Sequence, residues 1–211
     1  MLDLKGLKIK MGGCLLFEAG DISLQNGAYA LVGRNGVGKS TLFNTIIGAH
    51  ADFEGLISFN GTNLTDLKAD FAKTVSIVKT HPQVYGDHTV EDVLWLGRLP
   101  YQNMFGLRNK VDQSLINRVA EELNLSSYLS RSYESLSDGE KQMVMIGRAL
   151  VQDTPVILLD EPLAFLDLVN QREVMKLLYK IGASKLVIFS THHIHQLNEY
   201  CKDVLLIHNF K

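Results

Sequence analysis

Residues 33–41, GRNGVGKST, lie between the apolar run YALV and the segment LFNTIIG. The pattern G-x-x-x-x-G-K-S belongs between a strand and a helix, which is where this chain places it. Glycines let the backbone curl until successive N–H groups face inward, and the helix that follows adds the positive end of its dipole. Such a loop (Gly33, Arg34, Asn35, Gly36, Val37, Gly38) is a cradle for a phosphate chain. Lys39 would reach the β- and γ-phosphates, the Ser40 hydroxyl would coordinate Mg²⁺, and Thr41 would support the phosphates.

The flanking pattern extends this to a fold class. Residues 2–10 and 14–24 alternate apolar and polar, as half-exposed strands do. Ala28–Val32, Val75–Val78, Val156–Leu159 and Leu186–Phe189 read as buried parallel strands. Ser40–Ile47 has helical spacing and stops at Gly48. In Leu166–Ile181 apolar residues recur at 166, 169, 174, 177, 178 and 181, the period of a helix. Strands alternating with helices predict an α/β fold, a phosphate-loop nucleoside triphosphatase core with a mainly parallel sheet and an N-terminal antiparallel portion. Residues 89–152 show no strand pattern and read as a helical subdomain inserted into a core made of 1–88 and 153–211.

Two further clusters carry chemistry. Val156–Leu159 ends in Asp160 and Glu161. A carboxylate at a strand's C-terminal end can complete the coordination of Mg²⁺, a role for Asp160, and Glu161 could take a proton from an attacking water. The plainer reading is a pair of caps on a helix that Pro162 begins. Leu136–Gln142, LSDGEKQ, precedes the run MVMIGRALV. Small and acidic residues there are good helix caps, and that reading competes with a functional one.

Taken in order, GRNGVGKST, LSDGEKQ, VILLDEP, LAFLD and STHH resemble the ATP-binding subunit of an ABC transporter over nearly the whole chain. The resemblance implies ATP and Mg²⁺ as ligands and a homodimer in the ATP-bound state, its two subunits head to tail. Each ATP then lies between one chain's phosphate loop and the partner's signature, here Ser137, Asp138, Gly139 and Glu140. It also implies a dimer-linking loop at Asp167 and a switch histidine at His192 that orients the attacking water and Glu161. Against that role, the histidines of THHIH (His192, His193, His195) with Cys201 nearby could form a zinc cluster. The stretches TVEDVLWLGRLPYQ and STLFNTIIGAHADFEGLISFNG are most similar to importers of iron–siderophore complexes, haem or cobalamin. That branch implies membrane-spanning permease subunits as partners and, indirectly, a substrate-binding protein. Trp95, Tyr101, Met104 and Phe105 would line the groove taking the permease's cytoplasmic helix, or else form the helical subdomain's own core.

Several positions depart from the family. Thr80 stands where a glutamine usually contacts Mg²⁺ and water, with Gln83 three residues on as a substitute. Asp138 replaces a glycine, and its carboxylate is expected to cap its own helix and point away from phosphate. No aromatic residue matches the one that stacks on adenine, Met11 falling near that position. The chain ends at IHNFK, after a strand expected over Val204–Ile207, where members of the family continue further. Thr80 and Asp138 motivate a second reading, a nucleotide-dependent regulatory or assembly module with weak hydrolysis.

Composition agrees with a peripheral membrane subunit. The 211 residues carry a net charge of −2 and no long basic run, which argues against a nucleic-acid partner. Cys14 and Cys201 form no disulfide framework, as expected of reduced thiols in the cytoplasm. No apolar run is long enough to cross a bilayer, and the N-terminus lacks a signal-peptide core, so any work at a membrane would be peripheral; the resemblance implies a cytoplasmic place on the inner face of the cell membrane.

Overall fold

A computed structural model of the chain describes residues 1–80, 84, 86–102, 108–192 and 197–207. From the N-terminus, β1 (Leu2–Met11), β2 (Cys14–Ala19), β3 (Ile22–Leu24), β4 (Gly27–Val32), α1 (Lys39–Ile46), β5 (Phe53–Phe59) and β6 (Thr62–Asn63) precede α2 (Phe71–Thr74) and β7 (Val75–Val78). Three helices follow: α3 (Val90–Leu96), α4 (Lys110–Glu122) and α5 (Asp138–Val151). The chain then runs through β8 (Val156–Leu159), α6 (Leu168–Gly182), β9 (Leu186–Thr191), α7 (Leu197–Tyr200) and β10 (Asp203–Leu206).

Two sheets result. β4, β7, β8, β9 and β10 form a wholly parallel sheet in the order β10-β4-β9-β8-β7. The other is antiparallel, with β1 pairing β2, β3 and β5, and β6 closing on β5. Strand β5, whose glycine and glutamate interrupt its alternation, was not legible as a strand in the sequence.

The parallel sheet is buried on both faces, and the period-2 rule divides its residues between two cores. On β4, Ala28, Ala30 and Val32 join a core shared with α3, α4, α5 and α6. Tyr29 and Leu31 face the other way, with Leu42, Phe43 and Ile46 of α1 and the inner face of the antiparallel sheet. Phe189 and Phe43 are fully enclosed, one in each core. Burying side chains of that size contributes about 1.5–3 kcal/mol apiece.

Residues 89–152 contain no named strand among the described residues, and their helices share the first of these cores with the sheet. Trp95 is buried there, so of the groove's expected lining residues it belongs to the interior, while Tyr101 is exposed and Met104 and Phe105 lie outside the described residues. Helix α6 starts two residues later than its apolar stripe suggests, and Val169, counted in that stripe, is exposed. Asp167 ends the preceding loop by accepting a bond from the Asn170 N–H, which fixes the helix start. No helix among the described residues is long and apolar enough to cross a membrane.

Candidate active site

Parallel strands bring their C-terminal ends to one edge. The phosphate loop follows β4, Thr80 follows β7, Asp160 and Glu161 follow β8, and His192 follows β9. Ligand sites of parallel α/β sheets form at that edge.

The loop itself is built by its glycines. Gly38 has φ 111°, a conformation open to glycine, and a side chain there would strike Leu16 and Phe17 of β2. Helix α1 has no side-chain cap. Its first N–H groups are therefore left to an anion. Lys39 is buried, and its ammonium donates to the carbonyls of Gly33 at 2.9 Å and Arg34 at 3.4 Å across the loop. Met11 and Leu16 of the β1–β2 hairpin line a cleft of about 370 Å³ with Asn35, Ser40, Asp160 and Glu161. An apolar platform and a phosphate cradle thus share one opening.

The two carboxylates behave differently. Asp160 is buried and accepts a 2.7 Å bond from the Ser190 hydroxyl. Glu161 takes φ 51°, an uncommon left-handed conformation for a residue with a side chain, costing about 1–2 kcal/mol. Its N–H donates to Ser190 Oγ at 2.8 Å. In this pose Oε1 lies 3.6 Å from the Lys39 ammonium and Oε2 lies 3.0 Å from Nδ1 of His192. A carboxylate only accepts, so the imidazole shares its Nδ1 proton. Neither carboxylate caps a helix, because the chain stays in turns until α6. Lys39, Ser40, Asp160, Glu161 and His192 form one constellation. Thr80 adjoins it, donating its hydroxyl to the Asp160 carbonyl at 3.2 Å, while Gln83, His193 and His195 lie outside the described residues.

The LSDGE segment forms a second, separate surface. Ser137, not Asp138, caps α5: its hydroxyl accepts from the Glu140 N–H, while the Glu140 carboxylate accepts from the Ser137 N–H at 2.8 Å. The bond from the Ser137 N–H, and then one that the Ser137 hydroxyl donates to the same carboxylate at 2.8 Å, hold the Glu140 carboxyl below its ordinary range. The expected cap at Asp138 is corrected. Asp138 is the first helical residue, exposed, where its charge favours the dipole. Gly139 fits because a side chain there would press the Phe165 carbonyl at 2.9 Å. Ser137, Asp138, Gly139 and Asp167 line one hollow of about 540 Å³.

Comparison with known proteins decides the family. The model of the ABC transporter family matches residues 21–164, more than half the chain. The chain belongs to the ABC transporter family. An ABC transporter ATP-binding protein of Methanocaldococcus jannaschii is 34% identical over 100% of this chain and 74% of its own length. An iron(3+)-hydroxamate import ATP-binding protein of Bacillus subtilis is 32% identical over 94% of this chain and 77% of its own. A solved ATP-binding subunit of an ABC transporter superposes with a TM-score of 0.86 at 27% identity, covering 98% of this chain and 85% of that one. Like its relatives, this ABC subunit is an ATPase.

Sequence reasoning missed three polar residues that shape the ABC site. Ser190 ties Asp160 to the Glu161 backbone, its only signal being a hydroxyl at the end of an apolar run. Gln142 of α5, buried, and Gln171 of α6 donate to carbonyls of the loop after Glu161. They sit within helical patterns, where a glutamine carries no signal of its own.

Proposed function

We propose that this subunit powers import of a metal chelate, in the class of iron–siderophore complexes, haem or cobalamin, through a membrane-spanning permease at the inner face of the membrane. Two copies meet head to tail on ATP, each offering a Lys39 cradle to one nucleotide and a Ser137-capped helix to the other. Asp167 lies on the loop between the two sites. A substrate-binding protein delivers cargo without touching this chain.

The carrying observation is the position of Glu161, with one oxygen near Lys39 and the other on His192. Gly33–Thr41 hold the triphosphate through backbone N–H groups, the Lys39 ammonium and hydroxyls. Glu161 accepts the proton of the attacking water, and His192 keeps the carboxylate and the water in line. Ser40 and Asp160 supply a hydroxyl and a carboxylate lining the same cleft, a hard-oxygen donor set suited to Mg²⁺. When bound there, Mg²⁺ would neutralise charge on the phosphate oxygens.

Glu161→Gln tests this reading. ATP binding is expected to persist while turnover falls about 10²–10⁴-fold. Undiminished hydrolysis by this variant, with or without a permease in vesicles, would remove Glu161 as the base.

A further inference from the structure

We infer that Gln142 and Gln171 are positioning residues for hydrolysis, holding Glu161 in its productive pose by gripping the loop behind it. The inference rests on the reading of Glu161 as base. Residues 161–167 turn sharply twice, with left-handed backbone at Glu161, φ 51°, and at Phe165, φ 65°. Within the loop, the Ala164 N–H donates to the Glu161 carbonyl at 3.0 Å and the Leu166 N–H to that of Leu163 at 3.4 Å. The Glu161 N–H is further tied to Ser190 Oγ at 2.8 Å, and strain of this kind persists where the surroundings over-determine it.

Those surroundings include two amide side chains from two helices. Gln171 reaches back from α6, and its Nε2 donates to Leu166 O at 3.0 Å and Leu163 O at 3.3 Å. Gln142 reaches across from α5, buried, and donates to Pro162 O at 3.4 Å. Backbone contact adds to the grip, since Gly139 of α5 packs on the Phe165 carbonyl. Thus the helix that opens with Ser137 and the loop that opens with Glu161 are one tied unit. A displacement of α5 at its capped end reaches the catalytic carboxylate of the same chain through these contacts.

The test uses the full chain and steady-state ATP hydrolysis, with a fluorescent ATP analogue to measure binding. Gln171→Met keeps the length of the side chain and removes its donors, whereas Gln171→Arg keeps donors. The Met variant is expected to lose about 10- to 100-fold in kcat with KM for ATP held within about 2-fold, and the Arg variant to recover most of that loss. Because the effect runs through Glu161, adding Gln171→Met to Glu161→Gln is expected to change turnover no further. Gln142→Met should behave like Gln171→Met; if burial prevents its folding, the half-buried Gln171 decides alone. Wild-type kcat in Gln171→Met, or an equal loss in the Glu161→Gln background, overturns the inference alone. Full turnover by Glu161→Gln overturns both it and the assignment of the base.

Discussion

Glu161 and His192 meet at 3.0 Å between Oε2 and Nδ1, joining the ends of two adjacent parallel strands, β8 and β9. The contact depends on register. Leu159 pairs with Phe189, so the residues after each strand emerge side by side. On the proposed reading, a histidine there orients the carboxylate without itself lying in the phosphate loop.

His192→Ala is therefore expected to lower kcat by about 10- to 100-fold while leaving ATP affinity near that of the native chain. Hydrolysis rates beside nucleotide titrations check this, and a loss of affinity equal to the loss of rate would assign His192 to binding instead.

Ser190 is fully buried and bonded to both Asp160 and the Glu161 backbone. Ser190→Ala strips a buried N–H of its acceptor, which costs about 1–3 kcal/mol. Thermal and denaturant unfolding should register that loss, together with reduced turnover.

Gly139→Ala forces a methyl group toward a backbone carbonyl 2.9 Å away, and neither α5 nor the Phe165 loop can shift cheaply. We expect the ATP-driven dimer of a Glu161→Gln background to weaken at least about tenfold, read by sedimentation, while nucleotide binding to the monomer stays intact.

Arg98 and Asp112 form a buried pair, Nε to Oδ1 at 2.7 Å, and Arg98 also donates to the Val151 carbonyl. Removing one partner leaves a buried charge, so Asp112→Ala should cost about 3–5 kcal/mol. Replacing both by apolar residues of similar volume should cost less, and a double-mutant cycle in urea separates the two outcomes.

Asp92 is held at a pKa of about 2, against an ordinary 3.8, by the Thr89 hydroxyl and then by Arg108. A lowered folded-state pKa contributes stability that is present above pH 3.8 and is lost as pH falls through about 2. The difference in melting temperature between native protein and Asp92→Asn should thus be constant near neutrality and shrink across that interval. A difference that grows on acidification would reverse the assignment.

The sequence disclosed those features whose cause is local. A glycine loop before a lysine predicts its own curl, and apolar runs ending in Asp160–Glu161 and Ser190–His192 predict buried strands with polar tips. Strand β5 escaped because its apolar residues are broken by Glu54 and Gly55 and become coherent only beside β1. The cap falls to Ser137 rather than Asp138 because both are good caps and the choice depends on where the first helical turn settles.

By itself, then, the chain's order of residues determined the cradle, the acidic strand end and the family, because each is carried by neighbours along the backbone. Which oxygen of Glu161 faces Lys39 and which faces His192, and that Gln142 and Gln171 grip the loop between them, was decided by strands and helices far apart in sequence. Hydrogen bonds act over about 3 Å in space and are blind to distance along the chain, so no local pattern can announce them.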